Sequence, residues 1–270
     1  MIRFTKMHGL GNDFILTQQT PEDPAAAAIR LCRRAVGVGA DGLVLVLPSD
    51  KADVQMRIFN ADGSEAEMCG NAIRCVARYC ADRGLVTGEQ MTVETLAGIM
   101  KPELQTALDG VRVRVDMGGP VFEPDRIPVK ADDPLHFMIP VQNETVAAGA
   151  VLMGVPHTVV FADDMREADV QRLGSQITAH PLFPRGTNVN FASRQADGSL
   201  YVRTWERGAG RTLACGTGAC ATAVLACQTG RAADHVQIRV DEGTLDIEVT
   251  TGSVFMTGPA AYVFEGETLQ

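Results

Sequence analysis

The sequence predicts an α+β protein built from two homologous halves, each with several strands around one main helix. Three observations predict this class. The chain has 270 residues, 46% of them hydrophobic, so it can bury a large core. Strand-like segments outnumber helical ones, and several follow one another directly, which favours α+β over an alternating βαβ fold. Finally, the chain repeats itself once, which favours two halves over one continuous core.

Strand-like alternation of apolar and polar residues occurs in both halves. It predicts strands at 42–47, 54–59, 91–95 and 111–116 in the first half, and at 151–161, 200–205, 236–240 and 245–249 in the second. Shorter helical segments are predicted at 25–34 and 163–177.

The two main helices are predicted to begin just after Cys69 and Cys215. After Cys69 the apolar positions recur at i, i+1, i+4, i+5 and i+8, which is one face of an α-helix. The run after Cys215 is small or apolar almost all round, which predicts a centrally buried helix. Glycine follows each cysteine directly, so the backbone there can approach a ligand closely.

The internal repeat is anchored on these two cysteines. At the same distance before each, a polar residue ends a strand-like segment: Asn60 in the first half and Glu206 in the second. Further pairs at nearly matching distances are Asn12 with His157 and Asp41 with Asn188. We therefore expect two domains. The first, carrying Cys69, would span 1–117 and be completed by 263–270; the second, carrying Cys215, would span 118–262.

Composition narrows the class of partner. The 24 Lys+Arg against 33 Asp+Glu give a net charge of −9, which argues against nucleic acid or an anionic membrane as partner. No apolar stretch is long enough to span a bilayer, and the first residues do not resemble a leader with a cationic start and an apolar segment. We expect a cytoplasmic protein that acts on a small molecule.

The cysteine and histidine spacings predict no metal site. Seven cysteines are an odd number without the scatter of a disulfide framework, so reduced thiols are expected. There is no Cys-x-x-Cys pair and no zinc-type histidine spacing. Five of the cysteines are expected to be small buried hydrophobic residues: Cys32, Cys75, Cys80, Cys220 and Cys227.

A cysteine at a helix start suits proton transfer. The unpaired N–H groups and the helix dipole are expected to lower the thiol pKa and to bind an anion such as a carboxylate. Inverting a stereocentre needs a base on one face of the carbon and an acid on the other. A thiolate and a thiol from two equivalent places in a duplicated chain meet that need, because each becomes the other after turnover.

Five ordered segments make the chain resemble the diaminopimelate epimerase family over essentially its whole length. These segments are 6–14, 60–64 running into 68–71, 156–157, Asn188, and 206–210 with 214–218. The resemblance implies two pseudo-symmetric domains, each a β-sheet wrapped around a central α-helix, with the active site in the cleft between them. It also implies a cofactor-independent epimerase that interconverts LL- and meso-2,6-diaminopimelate, with relatives that suggest a homodimer.

The resemblance also implies roles for individual residues. Cys69 and Cys215 would be the acid/base thiols on opposite faces of the α-carbon. His157 and Glu206 would flank the reacting centre, contact the α-amino group and help set the protonation of the thiols. Backbone N–H groups would hold the α-carboxylate: those of Gly70, Asn71, Gly216 and Thr217. Four side chains would bind the substrate, several at its distal end: Asn12, Asn60, Asn188 and Arg207.

The sequence departs from the family pattern in three places. Val155 stands where many members carry asparagine, Gly42 where some carry glutamine, and Arg211 where glutamate is common. Arg211 would put a positive charge close to Cys215 in sequence.

Other functions remain open from the residues alone. Proline racemase and related isomerases also pair two cysteines, but histidine would be expected in place of Asn71. A pyridoxal-phosphate racemase would need a Schiff-base lysine, and none lies in the second-half motifs. A non-enzymatic amino-acid-binding protein is the alternative outside enzymes.

Overall fold

The computed structural model describes residues 1–107, 110–142 and 144–269. The chain divides into two compact units. Unit 1 comprises Met1–Asp116 and Thr257–Gln270, and unit 2 comprises Met117–Met256. The C-terminal return to unit 1 thus begins at Thr257, whereas the sequence analysis placed it at 263. Within the described ranges, no helix is both long and apolar enough to cross a membrane.

The helices and strands follow in chain order. The helices are α1 Pro24–Leu31, α2 Gly70–Asp82, α3 Glu167–Thr178 and α4 Gly216–Gln228. The strands of unit 1 are β1 Arg3–Gly9, β2 Asn12–Thr17, β3 Gly42–Leu47, β4 Val54–Asn60, β5 Glu65–Ala66, β6 Val93–Thr95, β7 Gly98–Met100, β8 Glu103–Ala107, β9 Gly110–Asp116 and β19 Ala261–Glu267. Those of unit 2 are β10 Phe137–Val141, β11 Glu144–Met153, β12 Val155–Phe161, β13 Asn188–Arg194, β14 Leu200–Glu206, β15 Gly210–Thr212, β16 His235–Val240 and β17 Gly243–Val249. Within β18, Val254–Pro259, the chain passes from unit 2 back to unit 1.

The two units share one strand topology. Unit 1 has the order β19-β1-β2-β3-β4-β6-β7 with β5 added to β4, and unit 2 has β10-β11-β12-β13-β14-β16-β17 with β15 added to β14. In each unit the same two neighbouring pairs run parallel, β2 with β3 and β4 with β6 in unit 1, β12 with β13 and β14 with β16 in unit 2. This shared order confirms the predicted duplication and the α+β class.

One helix lies centrally in each unit. Ten of the thirteen residues of α2 are buried, and the helix contacts β1, β2, β4, β8 and β9. Ten of the thirteen residues of α4 are buried as well, and its neighbours are β11 to β14, β16 and β17. Strands approach α4 from nearly every side because its residues are small or apolar all round. The predicted starts of both helices, directly after Cys69 and Cys215, are confirmed.

Several predicted elements have different bounds. The strand predicted at 151–161 is two antiparallel strands, β11 and β12, that reverse at Gly154. Gly154 has φ +71°, a left-handed conformation that glycine adopts without steric cost. Helix α1 ends at Leu31 instead of residue 34 because the Leu31 carbonyl accepts hydrogen bonds from Val38 and Gly39. Helix α3 begins at Glu167 instead of residue 163, with acidic residues in its first turn, where the dipole favours them.

The strand register also refines the repeat. In unit 2, His157 on β12 lies beside Asn188 on β13, and in unit 1, Phe14 on β2 lies beside Gly42 on β3. Gly42 in turn pairs with Asn60 at the end of β4. The counterpart of His157 is therefore Phe14 and not Asn12, because the connection that contains α1 and the connection that contains α3 differ in length.

Gly174 lets α3 pack directly on β14. A Cβ at this position would lie 2.6 Å from Trp205 Cβ and 2.7 Å from its Cγ. We expect Gly174→Ala to lower the free energy of unfolding by about 1–2 kcal/mol, because overpacking outweighs the helix propensity gained. Urea unfolding measures this. Ser175→Ala, one residue along the same helix at an exposed position, is the control, and equal stabilities of the two variants would contradict the packing argument.

Candidate active site

Cys215 sits at the N-cap of α4 beside a carboxylate. The residue is 7% exposed and has an extended backbone conformation, and its side chain does not cap the helix. Its Sγ donates to Glu206 Oε2 at 3.2 Å and lies 3.5 Å from Thr217 Oγ1. Glu206 is the last residue of β14, so the strand end and the helix start bring the thiol and its acceptor together.

The pKa of Cys215 lies well above its ordinary value of 9.0. Burial is the main cause, because it penalises the thiolate, and the Glu206 carboxylate adds to it. The Thr217 hydroxyl and the Gly218 N–H act in the opposite direction. The prediction that a helix start lowers the thiol pKa is therefore wrong for this residue: burial and a neighbouring anion outweigh the dipole.

Cys69 occupies the same place in unit 1, with an amide as its neighbour. It is the N-cap of α2, again with no side-chain cap bond. Its Sγ lies 3.8 Å from Asn12 Oδ1, which also accepts from Asn71 Nδ2 at 3.0 Å. The Asn12 amide has a defined orientation because its Nδ2 donates to Asp41 Oδ2 at 2.7 Å. Since a carboxylate only accepts, the Asn12 carbonyl must face the thiol.

A cluster of charges holds Asp41 and Asp13 in turn. Arg34 pairs with Asp41 at 2.6 Å and with Asp13 at 2.9 Å, and Lys6 pairs with Asp13 at 2.7 Å. Burial alone would raise the pKa of Asp13, but hydrogen bonds from Arg34 and Lys6 outweigh it and bring the pKa below 3.8. Asp13 therefore stays ionised, and Arg34 joins it to Asp41, which anchors Asn12.

Both helix starts present backbone N–H groups that the helix itself does not use. In each helix the carbonyl of the N-cap cysteine accepts the first intrahelical hydrogen bond. The donors are the Ile73 N–H for Cys69 and the Ala219 N–H for Cys215. The N–H groups of Gly70, Asn71, Gly216 and Thr217 precede them and have no acceptor within their helices. Each start is thus suited to an anion.

A fully buried guanidinium supports the start of α2. Arg74 Nε donates to Pro259 O at 3.0 Å and Nη1 to Gly70 O at 3.2 Å. A Cβ on Gly9 would lie 2.7 Å from Arg74 Nη2. Gly9 is therefore required for close approach to Arg74, and the arginine ties the first turn of α2 to the C-terminal segment.

His157 is enclosed completely. It is 0% exposed, and burial lowers its pKa from 6.5 to about 3, so the imidazole is neutral at pH 7. Its Nδ1 lies 3.2 Å from Asn190 Nδ2. Its Nε2 is buried without a hydrogen-bond partner among the described residues.

The other predicted residues occupy varied surroundings. Asn188 Oδ1 accepts from the Arg207 backbone N–H at 2.8 Å, and the exposed Arg207 side chain donates to Arg185 O. Asn60 is exposed and donates to Ser64 Oγ at 2.9 Å within its turn. Its side-chain hydrogen bond therefore lies within the turn.

Arg211 does not leave an unbalanced charge near Cys215. Its guanidinium pairs with Glu167 at 3.1 Å and also with Asp241. These ion pairs tie β15 to the first turn of α3, so the departure from the family pattern has a local structural role.

The remaining cysteines differ in burial. Cys32, Cys75, Cys80 and Cys220 are buried, as predicted, whereas Cys227 is half-buried and its Sγ donates to Ala233 O at 2.7 Å. Burial raises the pKa of Cys75 and of Cys80 to about 12. Across the described residues, no group of three or more His, Cys, Asp or Glu side chains is arranged to hold a metal ion.

Contacts in each unit join only part of the predicted set. In unit 1 they connect Cys69, Asn12 and Asn71. In unit 2 they connect Cys215, Glu206 and Thr217, and separately Asn188 with Arg207. Arg74 and Asn190 were not predicted from the sequence, and Asp41 was identified only as a match in the internal repeat. A signal existed for Asn190, because residues two apart on a strand share a face and Asn188 was already a candidate.

The chain matches one family over most of its length. A family model described as diaminopimelate epimerase matches residues 4–123 and 149–263. The diaminopimelate epimerase of Desulforudis audaxviator is 50% identical, covering 98% of this chain and 99% of the relative. That of Moorella thermoacetica is also 50% identical with the same coverage of both.

Solved structures share the fold at low identity. A phenazine biosynthesis protein of the PhzF family from Bacillus anthracis superposes with a TM-score of 0.74 at 16% identity, over 100% of this chain and 99% of that one. A predicted epimerase from Pseudomonas aeruginosa gives 0.69 at 18% identity over all of both chains. At this low identity, the two structures show that the chain shares their fold and nothing further.

Stability should depend on pH through His157. The unfolded imidazole binds a proton below pH 6.5 while the folded one resists protonation down to about pH 3, so acid favours unfolding in that window. From pH 7 to pH 5 this costs about 2 kcal/mol of unfolding free energy. His157→Gln should remove that loss, as measured by urea unfolding at both pH values. His235→Gln, at an exposed position, should keep the wild-type loss, and a His157→Gln variant with an unchanged loss would contradict the assignment.

Neutralising Glu206 should lower the pKa of Cys215. Glu206→Gln removes the anion but leaves the burial, so the thiol should ionise at lower pH than in the wild type. The rate of methyl methanethiosulfonate modification against pH, followed by peptide mass spectrometry, measures this. Asp234→Asn is the matched control because the Asp234 carboxylate raises the pKa of Cys227. It should shift Cys227 and leave Cys215 unchanged, whereas a Cys215 profile unaffected by Glu206→Gln would contradict the coupling.

Proposed function

The chain belongs to the diaminopimelate epimerase family, and we propose that it interconverts LL- and meso-2,6-diaminopimelate by a two-base reaction. One of Cys69 and Cys215 removes the α-proton, and the other returns a proton to the opposite face. This is an isomerase reaction that serves lysine and peptidoglycan precursor synthesis. The observation that carries the proposal is the equivalent position of the two thiols. Each is the N-cap of the central helix in one of two units of the same topology.

The proton transfer uses one thiolate and one thiol. The thiolate takes the α-hydrogen from one face, and the C–H electron pair stays on the α-carbon. The opposite thiol then gives its proton to the other face, so the enzyme ends with the two protonation states exchanged. In unit 2 the Cys215 S–H already points at Glu206 Oε2, which gives that proton an acceptor when the thiolate forms.

The substrate carboxylate stabilises the developing carbanion only if the carboxylate itself is stabilised. In the proposal, the N–H groups of Gly70, Asn71, Gly216 and Thr217 hold it, because oriented donors in a dry site need no reorganisation during the reaction. His157 and Glu206 flank the reacting centre. Four side chains hold the rest of the substrate: Asn12, Asn60, Asn188 and Arg207. Arg207 is suited to a carboxylate by its planar fork.

Other properties of the enzyme follow from the same family. We propose that it works without a bound cofactor, in the cytoplasm, as a homodimer. The acidic composition agrees with a small-molecule substrate and not with nucleic acid or membrane. Light scattering after size-exclusion chromatography measures the assembly.

The activity is tested with LL-diaminopimelate in deuterated water. We expect α-deuterium incorporation with inversion, without added pyridoxal phosphate. Binding without exchange would favour the amino-acid-binding alternative, and turnover of proline in place of diaminopimelate would favour a proline racemase.

The same assay tests the two thiols. Cys69→Ala and Cys215→Ala should each lower epimerisation by about 10²- to 10⁴-fold, the range expected for loss of a general acid or base, while calorimetry still detects substrate binding. Cys80→Ala and Cys220→Ala change buried cysteines on the same two helices and should retain activity. Near-normal epimerisation by either Cys69→Ala or Cys215→Ala would overturn the two-thiol mechanism.

A further inference from the structure

Asn190 lies at the centre of a buried polar cluster in unit 2. It is 0% exposed. Its Nδ2 lies 3.3 Å from Thr158 O and 3.2 Å from His157 Nδ1, and its Oδ1 accepts from Thr204 Oγ1 at 3.0 Å. A Cβ at Gly218, in the first turn of α4, would overlap with Asn190 Oδ1. The amide therefore fills the space that this glycine leaves.

One of these contacts determines which way the amide points. A backbone carbonyl can only accept a hydrogen bond, so the Asn190 atom that faces Thr158 O must be the NH₂ group. The same NH₂ group faces His157 Nδ1. The imidazole nitrogen is then the acceptor, and it carries no proton.

The protonation state of Nε2, the second nitrogen of the ring, follows from that of Nδ1. A neutral imidazole has one N–H, and with Nδ1 bare the proton is on Nε2. Burial keeps the ring neutral by lowering the pKa of His157. Nε2 is also the atom that is buried without a partner among the described residues. A buried donor without an acceptor is costly, which points to an acceptor supplied by a ligand.

We propose that Asn190 is a positioning residue that holds His157 as the neutral Nε2–H tautomer, so that His157 meets the bound substrate as a hydrogen-bond donor. The tautomer stands on the contacts of unit 2 alone, whereas the role toward substrate rests on the proposed function. An N–H donor cannot accept from an ammonium group. The partner of His157 Nε2–H in this proposal is a substrate carboxylate oxygen. That contact takes the place of the contact with the α-amino group that the family resemblance implies.

Long-range proton–nitrogen NMR correlations of ¹⁵N-histidine-labelled enzyme test the tautomer directly. The five histidines are few, and the loss of one set of signals in His157→Gln assigns the set of interest. We expect the wild type to show a bare Nδ1 and a protonated Nε2 at pH 7. A protonated Nδ1 in the wild type would overturn the proposal without any variant.

Asn190→Asp reverses the hydrogen bond. A carboxylate has no N–H to donate, so it requires the proton on Nδ1, and its charge raises the pKa of His157. The NMR pattern should change to a protonated Nδ1. Above the new pKa the ring has no proton on Nε2, and kcat should fall by about 100-fold, the loss expected for one preorganised donor. Below that pKa both nitrogens carry protons, and kcat should recover toward the wild-type value.

Thr204→Val is the matched control. It removes the hydroxyl that donates to Asn190 Oδ1 but leaves Thr158 O, so the wild-type tautomer and the wild-type pH profile of kcat should persist. A reversed tautomer in Thr204→Val, or an unchanged tautomer in folded Asn190→Asp, would overturn the role of Asn190. A correct tautomer in an enzyme that does not epimerise diaminopimelate would instead overturn the proposed function alone.

Discussion

The burial of a helix start in each unit is the constraint on which the site depends. Strands contact α2 and α4 from several sides and bury the first residue of each helix, together with the Cys215 thiol, whereas Cys69 is half-buried. A thiol that loses water needs an acceptor within the protein. Asn12 supplies it for Cys69 and Glu206 for Cys215. At Cys215, burial first and the Glu206 carboxylate second raise the pKa of the thiol.

The duplication gives the two units the same strand order, but the side chains around their two cysteines differ. Equivalent register positions hold Phe14 and His157, Gly42 and Asn188, Asn60 and Glu206. Unit 1 surrounds its cysteine with amides held by a charge cluster, whereas in unit 2 a carboxylate accepts from the thiol. In the proposed mechanism the two substrates are unlike stereoisomers and the two proton transfers are not mirror images, so two settings that differ would suit it.

The local sequence pattern was enough to predict where the two main helices begin, because a Cys-Gly pair and a 3.6-residue apolar period lie within a few residues of each other. It was also enough for the duplication, since matching distances from Cys69 and Cys215 survive divergence. The direction of the Cys215 pKa shift was not predictable this way, because it depends on strands that bury the thiol from distant parts of the chain. The same holds for Arg74, whose partner Pro259 is remote in sequence. The strand predicted at 151–161 was wrong because one glycine reverses a run whose alternation continues through it.

Strand β19 completes the sheet of unit 1 from the far end of the chain. It pairs along β1, and Pro259, just before it, accepts from the guanidinium buried beneath the start of α2. During synthesis, the N-terminal half therefore emerges long before its edge strand and the anchor of its central helix exist. Unit 2, whose residues are contiguous, has all its parts earlier. The thiol nearer the N-terminus therefore reaches its final surroundings only after the last strand of the chain has been made.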